Sequence, residues 1–522
     1  MSLVRNTLVQ SSLTLVSRIL GFARDVVLAA RIGAGPVGDA FFAALMFPNL
    51  FRRFFAEGAF AQAFVPAYAR TLEADGPQAA RQVAEEAMRV LFAVTAAIVI
   101  AAQLAMPWIM VVFMGSYLDD TDIFGLAVLL TQITMPYLAC MALAALLAGL
   151  LNSAGRFALT AGAPTVLNIC IIAAALLGGD KAVTARFAAI AVTLAGLLQV
   201  ALLWHGVRRQ GLRLSLIGLP RLTTNVKRVM ALAVPGAIAA SGMQINILVS
   251  QALAGLEQGA RSWLQFADRL YQLPLGLVGV AVGVAILPRL SRAARAGDSA
   301  AGGQMMDDAV GLAMALTLPA AAALLVAPAY LIEGLFARGA FTSEDARLAG
   351  LALLHFAWGV PAFVLIKVLA PGFFAREDTK TPMRFALVSV VINTLLGAGL
   401  FFWLRQQGEP GFPGLALATS AAAWVNAGAL FLTLRARGWY RPGPLLARRL
   451  ASAIMASLGM AFTLVILLTR ARGWLDGLAP SRFLEALAFI AIGMGVYGLF
   501  ALWFGAVRPG DIKALARRPA AE

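Results

Sequence analysis

The chain has 522 residues, of which 61% are hydrophobic and 13% are charged, and its formal net charge is +16. This composition excludes a soluble globular protein, in which about 25% of residues are charged. The basic residues lie in short loops between apolar runs, a pattern that favours the positive-inside distribution of a membrane protein over binding to nucleic acid.

Apolar runs of about 20 residues recur along the whole chain, and each is long enough to cross a hydrocarbon core of roughly 30 Å as a helix. The runs are continuous rather than alternating, and a helix satisfies its own backbone hydrogen bonds in lipid. We therefore predict an all-α integral membrane protein with fourteen transmembrane helices. The predicted helices cover approximately residues 11–32, 37–66, 88–114, 124–150, 157–178, 186–205, 229–255, 262–288, 308–337, 347–373, 383–404, 413–434, 449–469 and 484–506.

We interpret the first predicted helix as a retained span rather than a signal peptide, since no A-x-A-like cleavage site follows it. It contains four charged residues: Arg18, Arg24, Asp25 and Arg31. These charges spread over about 20 Å of the helix axis, so they do not all reach one membrane surface. At the centre of lipid each would cost about 2.5 to 3.5 kcal/mol. Residues seven apart share a stripe of a helix, so we expect one broad polar face that contacts protein or water.

The second predicted helix adds four more charged residues: Asp39, Arg52, Arg53 and Glu57. Pro48 lies between them and is expected to kink the helix beside Arg52, because proline removes a backbone hydrogen bond.

The eighth predicted helix contributes Asp268 and Arg269 shortly before Pro274. Across the first, second and eighth helices, six arginines face four carboxylates. A water-filled cavity with surplus guanidinium should attract an anion, and guanidinium groups bind phosphate oxygens in pairs. The alternative is that these arginines only neutralise the nearby carboxylates in buried ion pairs that hold the N-terminal bundle together.

The loops predict the orientation of the chain. When loops are assigned alternately to the two sides, roughly 25 Lys and Arg fall on the side of the N-terminus and about 9 on the other, so both termini should be cytoplasmic. Residues 207–229 and 435–450 are basic, and residues 115–122 are acidic. Residues 70–89 resemble an amphipathic cytoplasmic helix, for which a solvated helix with no role in transport is the alternative.

The sequence repeats weakly with a period near 222. Residues 63–76 match residues 285–298, with Pro66 falling on Pro288. The period holds six predicted helices, an even number, so the two halves should share topology. We predict two six-helix bundles around a central cavity, with the thirteenth and fourteenth helices outside the repeat. The corresponding divisions are residues 1–222, 223–440 and 441–522.

The sequence indicates neither a metal site nor an enzyme. Cys140 and Cys170 lie inside apolar runs and are expected to be core residues. His205 and His355 lack the paired spacing of metal ligands. No loop collects the side chains of acid–base catalysis, and no G-x-x-x-x-G-K-[ST] loop for ATP is present. We expect no cofactor, and a coupling ion gradient or membrane potential stays open.

Three stretches form long and specific motifs: residues 17–69, residues 266–292 ("FADRLYQLPLGLVGVAVGVAILPRLSR") and residues 367–382 ("KVLAPGFFAREDTKTP"). Together they closely resemble the MurJ/MviN family, the lipid II flippases of bacterial peptidoglycan synthesis. The resemblance implies the fold of the multidrug/oligosaccharidyl-lipid/polysaccharide exporter superfamily. It also implies that undecaprenyl-pyrophosphate-linked disaccharide-pentapeptide moves from the inner to the outer leaflet of the cytoplasmic (inner) membrane.

The resemblance further implies a set of substrate-binding cavity residues. These are Arg18, Arg24, Asp25, Asp39, Arg52, Glu57, Arg269 and Lys367. One position departs from the family pattern: Gln272 stands where some members have Glu, which puts an ionic role there in doubt.

The mechanism that we expect is alternating access by a monomer. Arg24, Arg52 and Arg269 would hold the pyrophosphate, while the prenyl chain stays in lipid beside the thirteenth and fourteenth helices. The alternative function is export of another undecaprenyl-linked glycan, or of drugs, on the same fold.

Overall fold

The protein is an all-α integral membrane protein. The structure, a computed structural model, describes residues 3–56, 59–221, 223–224, 226–227, 231, 244–276, 280–471, 473 and 481–505. Within these ranges side chains are described except at residues 3–11, 51–56, 59–63, 280–285, 289 and 299. The described chain is helical almost throughout and contains no strand, as the continuous apolar runs predict.

The chain divides into two compact units. Unit 1 is Met1–Ser262 with Arg338–Thr342, and unit 2 is Trp263–Ala337 with Ser343–Glu522. The predicted divisions at residues 222 and 440 stay predictions.

The helices of unit 1 follow the predicted spans closely at most positions. They are α1 (Leu3–Arg31), α2 (Pro36–Ala56), α3 (Ala59–Phe113), α4 (Thr121–Thr134), α5 (Tyr137–Ser153), α6 (Phe157–Leu177) and α7 (Lys181–Arg209). Residues 244–254 are also helical. The helix α2 continues past Pro48.

The remaining helices extend through unit 2, although the first residues of α8 belong to unit 1. They are α8 (Ala260–Pro274), α9 (Val280–Arg295), α10 (Ser299–Val326), α11 (Pro328–Phe336), α12 (Ser343–Ala357), α13 (Val360–Phe374), α14 (Lys380–Gln406), α15 (Phe412–Ala436), α16 (Pro444–Arg470) and α17 (Arg482–Phe504). The last two helices pack against each other, with α16 also against α10 and α17 against α11.

Ten helical stretches of the described chain are long and apolar enough to cross a membrane. They are Phe64–Phe113, Thr121–Ser153, Phe157–Leu177, Lys181–Arg209, Ala300–Val326, Ser343–Phe374, Lys380–Gln406, Phe412–Ala436, Pro444–Arg470 and Arg482–Phe504. These correspond to ten of the fourteen predicted spans. Of the other four, three contain seven of the eight charged residues assigned to the cavity, and the span at 229–255 lies mostly outside the described residues. The count of fourteen therefore stays a prediction.

Three predicted spans are divided into two helices by a break that lies entirely within the described residues. The span at 124–150 breaks between α4 and α5 before Tyr137, and the span at 347–373 breaks between α12 and α13 at Gly359. The span at 308–337 breaks where Pro328 begins α11. At Gly359 the backbone lies against Ser420, where no Cβ would fit. The first two breaks lie about one repeat period apart.

A second pair of breaks also follows the repeat. Gly76, at φ 83°, interrupts the helical geometry of α3, and Gly297, at φ 68°, separates α9 from α10. Both positions require positive φ, which glycine adopts without steric cost. Gly76 ends the first matched segment and Gly297 lies inside the second. The sequence repeat therefore corresponds to a turn that occurs in both units.

The helix that follows Gly76 is anchored to the chain after α7. The Ser215 N–H donates to Oε1 of Glu85 at 3.1 Å, and the Thr223 hydroxyl donates to Oε2 of Glu86 at 2.6 Å. Arg89 donates to the second oxygen of Glu85 and to the carbonyl of Ser215. We call these contacts the first clamp. They show that one face of the predicted amphipathic helix packs against protein, while Arg81 on the same helix is 48% exposed.

An equivalent arrangement lies one period later in unit 2. Asp307 accepts hydrogen bonds from the Tyr440 hydroxyl at 2.7 Å and from the Gly443 N–H at 2.9 Å. Asp308 forms an ion pair with Arg449 at 2.9 Å. We call these contacts the second clamp. Burial raises the pKa of Tyr440, and its hydrogen bond to Asp307 raises it further, so the phenol stays protonated as a donor.

Candidate functional site

The charged face of α1 is organised around Arg24. Its guanidinium donates from Nε and Nη2 to Oδ1 of Asp25, at 3.0 and 2.7 Å. It also donates from Nη1 to Oδ1 of Asn168 on α6, at 3.0 Å. The side chains of Arg24 and Asp25 are only 12% and 6% exposed. This guanidinium is therefore held from two sides, by a carboxylate of its own helix and by a neutral amide of another.

Arg18 and Arg31 lie on either side of this pair and differ from each other. Arg18 is exposed. Arg31 donates to the carbonyl oxygens of Ala175 at 3.1 Å and Leu176 at 2.8 Å, at the C-terminus of α6. The last carbonyls of a helix have no intrahelical partner and carry partial negative charge. Arg31 thus caps α6 and has a structural role.

Asp39, near the start of α2, is buried in a network of hydrogen bonds. Its Oδ1 accepts from the N–H and the hydroxyl of Ser262, at 2.9 and 2.7 Å. Its Oδ2 accepts from the Gly259 N–H at 2.7 Å and the Tyr117 hydroxyl at 2.9 Å. Burial raises the pKa of Tyr117, and the charge of Asp39 raises it further. A carboxylate has about four acceptor positions, so protein groups occupy all of them in this conformation.

Arg261 lies beside this network and is 1% exposed. It donates to the side-chain and main-chain oxygens of Gln251, at 2.7 and 2.9 Å, and to the carbonyl of Phe113. A charged residue this deeply buried needs such partners to offset its lost hydration. The network around Asp39 and Arg261 therefore fixes the segment before α8 within unit 1.

The predicted site residues of unit 2 lie on two helices. Arg269 is half-buried on α8, and Lys367 is exposed on α13. Asp268 accepts a hydrogen bond from the amide of Gln272, one turn later on α8. A glutamate at position 272 would place two like charges at this spacing. Glutamine instead supplies a donor, which gives a physical reason for the departure from the family pattern.

For the two remaining predicted residues, Arg52 and Glu57, no side chain is described. The backbone of α2 passes through Arg52, whose side chain is not described, and Glu57 is not described at all. The structure thus brings Arg24 and Asp25 together and places Asp39 in a separate network. The roles of all eight predicted residues stay predictions.

Sequence reasoning missed Asn168, Tyr117 and Arg261, all of which make the contacts above. Charges within the predicted spans indicate a site, whereas Asn168 is uncharged and Arg261 lies one residue before the eighth predicted span, although the structure places it on α8. In the part of the chain that the structure describes, no group of three or more His, Cys, Asp or Glu side chains is placed to hold a metal ion.

Comparison with known families gives a match over residues 28–483 to the model described as "Lipid II flippase MurJ". A protein of Rhizobium tropici named "Probable lipid II flippase MurJ" is 42% identical over 527 residues, covering 99% of this chain and 97% of its own length. The Rhizobium meliloti (strain 1021) protein of the same name is 44% identical, covering 97% and 94%. The "Lipid II flippase MurJ" of Burkholderia cenocepacia is 36% identical, covering 88% and 89%.

Solved structures share the fold. One described as "Lipid II flippase MurJ, inward closed conformation" aligns with a TM-score of 0.77 at 24% identity, covering 98% of this chain and 100% of its own. An inward-facing multidrug resistance MATE family transporter of the MOP superfamily aligns with a TM-score of 0.64 at 15% identity, covering 83% and 98%. The matched model spans most of the chain and the relatives cover nearly all of it, so this protein belongs to the lipid II flippase MurJ family.

Proposed function

We propose that this protein is a flippase that moves lipid II from the inner to the outer leaflet of the bacterial cytoplasmic membrane. It acts as a transporter and catalyses no covalent chemistry. The observation that carries the proposal is the state of Arg24: a guanidinium fixed inside a membrane protein with hydrogen-bonding capacity left over. Membership in a family named for lipid II supports the choice of substrate.

The chemistry of this site suits a pyrophosphate. A guanidinium has five N–H groups, and the bonds of Arg24 to Asp25 and Asn168 use three of them. In the part of the chain that the structure describes, two N–H groups therefore stay available to a ligand, one on Nη1 and one on Nη2. Two N–H groups of one guanidinium can bind two oxygens of a phosphate together.

The surplus of arginines supports an anionic substrate over a cationic drug. Arg18 is exposed on the same helix as Arg24, and Asp25 neutralises only one of the two charges. Arg52, Arg269 and Lys367 complete the proposed cavity. The sugar and peptide groups of lipid II would be hydrated in this cavity, while its prenyl chain stays in lipid beside α16 and α17. Alternating access of the two halves then moves the head group across, with both termini in the cytoplasm and one copy of the chain sufficient.

Depletion of the protein in cells tests this proposal. A probe that modifies only outer-leaflet lipid II should then show that outer-leaflet lipid II is lost, and a plasmid carrying the wild-type chain should restore it. The Arg24→Ala variant should fail to restore outer-leaflet lipid II even when its amount in the membrane equals that of the wild type. The matched control is Arg186→Ala, which removes an exposed arginine of α7 and should restore it fully. Normal outer-leaflet lipid II in depleted cells that contain no other flippase would overturn the proposal.

A further inference from the structure

Asn168 is a polar residue inside an apolar helix, and both ends of its amide are engaged. It lies on α6 and is 6% exposed. Its Oδ1 accepts from Nη1 of Arg24, and its Nδ2 donates to the carbonyl oxygen of Ser17 on α1, each at 3.0 Å. The Ser17 carbonyl accepts only, so the amide has one possible orientation, with its oxygen toward the guanidinium.

The choice of an amide at this position has an electrostatic consequence. Asp25 already balances one positive charge, and a second carboxylate against Arg24 would cancel the attraction for an anionic ligand. The Asn168 oxygen accepts a hydrogen bond without adding a charge. It also fixes the orientation of the guanidinium. Asp25 accepts from Nε and Nη2, and Asn168 accepts from Nη1.

We infer that Asn168 is a positioning residue for substrate binding: it holds the Arg24 guanidinium in a fixed orientation without neutralising it, so that the two remaining N–H groups face a pyrophosphate. This inference rests on the proposed function of Arg24. It assigns α6, which carries no charged residue between Phe157 and Leu177, a part in the site.

A double-mutant cycle separates this role from a tie between α1 and α6. The variants are Asn168→Leu, Arg24→Ala and the two combined, purified in detergent and tested for binding of lipid II with inorganic pyrophosphate as competitor. A hydrogen bond to a charged group is worth enough for about a tenfold change in affinity, so Asn168→Leu should weaken binding at least to this extent. In the Arg24→Ala background it should change nothing further, because its effect passes through Arg24.

The control is Asn426→Leu, the same change at another buried asparagine of a membrane-spanning helix. Its Oδ1 has no hydrogen-bond partner in the described chain, and the variant should bind like the wild type. Thermal midpoints are measured for every variant, and Asn168→Ser serves as a second, smaller substitution if Asn168→Leu fails to fold.

The outcomes of the cycle are distinct. If Asn168→Leu lowers the thermal midpoint and binding equally in both backgrounds, Asn168 has a structural role and the inference is wrong. If Arg24→Ala weakens binding but Asn168→Leu does not, the inference is wrong while the proposed function stands. If Arg24→Ala itself leaves binding and pyrophosphate competition unchanged, the proposed role of Arg24 is wrong as well.

Discussion

The two clamps show how one sequence repeat is used in two ways. Each unit places an acidic pair near the start of a long helix, Glu85 with Glu86 and Asp307 with Asp308, and the pairs are 222 residues apart. In both, the first acid accepts from a backbone N–H of the chain that follows the sixth predicted helix of its half. The charges and that backbone contact are repeated, whereas the side-chain partners are not.

The packing behind the clamps differs more than the clamps themselves. In unit 1, Tyr68 is buried against Phe64, with ring centroids 5.9 Å apart, in an apolar cluster that includes Leu214. The matching position in unit 2 is Leu290, which lines a cavity of about 180 Å³ together with Arg376 and Tyr440 among others. The matching position is thus a tyrosine packed in an apolar cluster in unit 1 and a smaller leucine beside a cavity in unit 2.

The comparison teaches that unit 2 adds cation–aromatic contacts at this place to an apolar cluster that includes Leu290 and Tyr440. Around its cavity, the Arg376 and Arg437 guanidinium carbons lie 5.0 and 4.7 Å from the ring centroid of Trp439. Arg437 also forms an ion pair with Asp378 at 2.6 Å. The family-like motif at 367–382 therefore links the turn after α13 to the loop after α15. This gives the motif a structural role that the sequence resemblance does not specify.

The largest difference should appear when the first acid of each clamp is removed. Asp307→Ala leaves the buried Tyr440 hydroxyl and the Gly443 N–H without their acceptor, and should lower the free energy of unfolding by about 3 kcal/mol. Glu85→Ala removes an acceptor that is only 15% exposed but whose partners Arg81 and Arg89 reach water, at 48% and 20% exposure, so it should cost about 1 kcal/mol. Denaturant unfolding of the purified variants measures both. Equal losses of unfolding free energy would mean that the first acid contributes equally to stability in both clamps, which would contradict this difference.

The next difference concerns the filled and open spaces. Tyr68→Leu should lower the free energy of unfolding by about 2 kcal/mol, because it opens a void in a packed cluster. A change in the opposite direction of size, Leu290→Phe, should raise the free energy of unfolding by up to about 1 kcal/mol by filling the cavity. Thermal midpoints of the two variants should move in opposite directions. A lower midpoint for Leu290→Phe would show that the space in unit 2 does not admit a ring.

At the second acid of each clamp the order should reverse. The Thr223 hydroxyl lies 2.6 Å from Glu86, and Thr223→Val should cost about 1 kcal/mol because that carboxylate loses a close donor. The Asp308 side chain is 62% exposed in its pair with Arg449, so Asp308→Asn should cost less than about 0.5 kcal/mol. A double-mutant cycle at each pair gives the coupling energy. A larger coupling at Asp308 would contradict this order.

The sequence predicts the helical class and most span boundaries because apolar length is a property of local segments. It does not predict the internal breaks, since hydropathy measures side chains whereas a break depends on backbone hydrogen bonds and close approaches. Proline does not resolve this: Pro328 begins α11, but Pro48 and Pro164 lie within unbroken helices. The break at Gly359 depends on Ser420, which is 61 residues away in the chain.

The candidate site shows the same division between local and distant information. The charged face of α1 follows from helical spacing, and Asp25 is adjacent to Arg24 in the sequence. Asn168 is 144 residues from Arg24, and the donors to Asp39 at Ser262 come from 223 residues away. A single sequence carries no signal for such pairings, so the residues were found as charges while their partners were not.

The smallest expected effect is a pH dependence that only unit 2 should show. Hydrogen bonds from the hydroxyl and N–H of Thr381, together with Arg437, lower the pKa of Asp378 from 3.8 to about 2. The matching position in unit 1 is Arg156, which carries no carboxyl group. A carboxylate with a lowered pKa stabilises the folded state fully above its ordinary pKa, and the stabilisation is lost as the pH falls from about 4 to about 2.

The thermal midpoint of the wild type should therefore exceed that of Asp378→Asn by a constant amount from pH 7 to about 5 and approach it below about 4. The difference between the wild type and Arg156→Gln should stay constant over the same range. A constant difference for Asp378→Asn down to pH 3 would show that the folded state does not lower the pKa of Asp378.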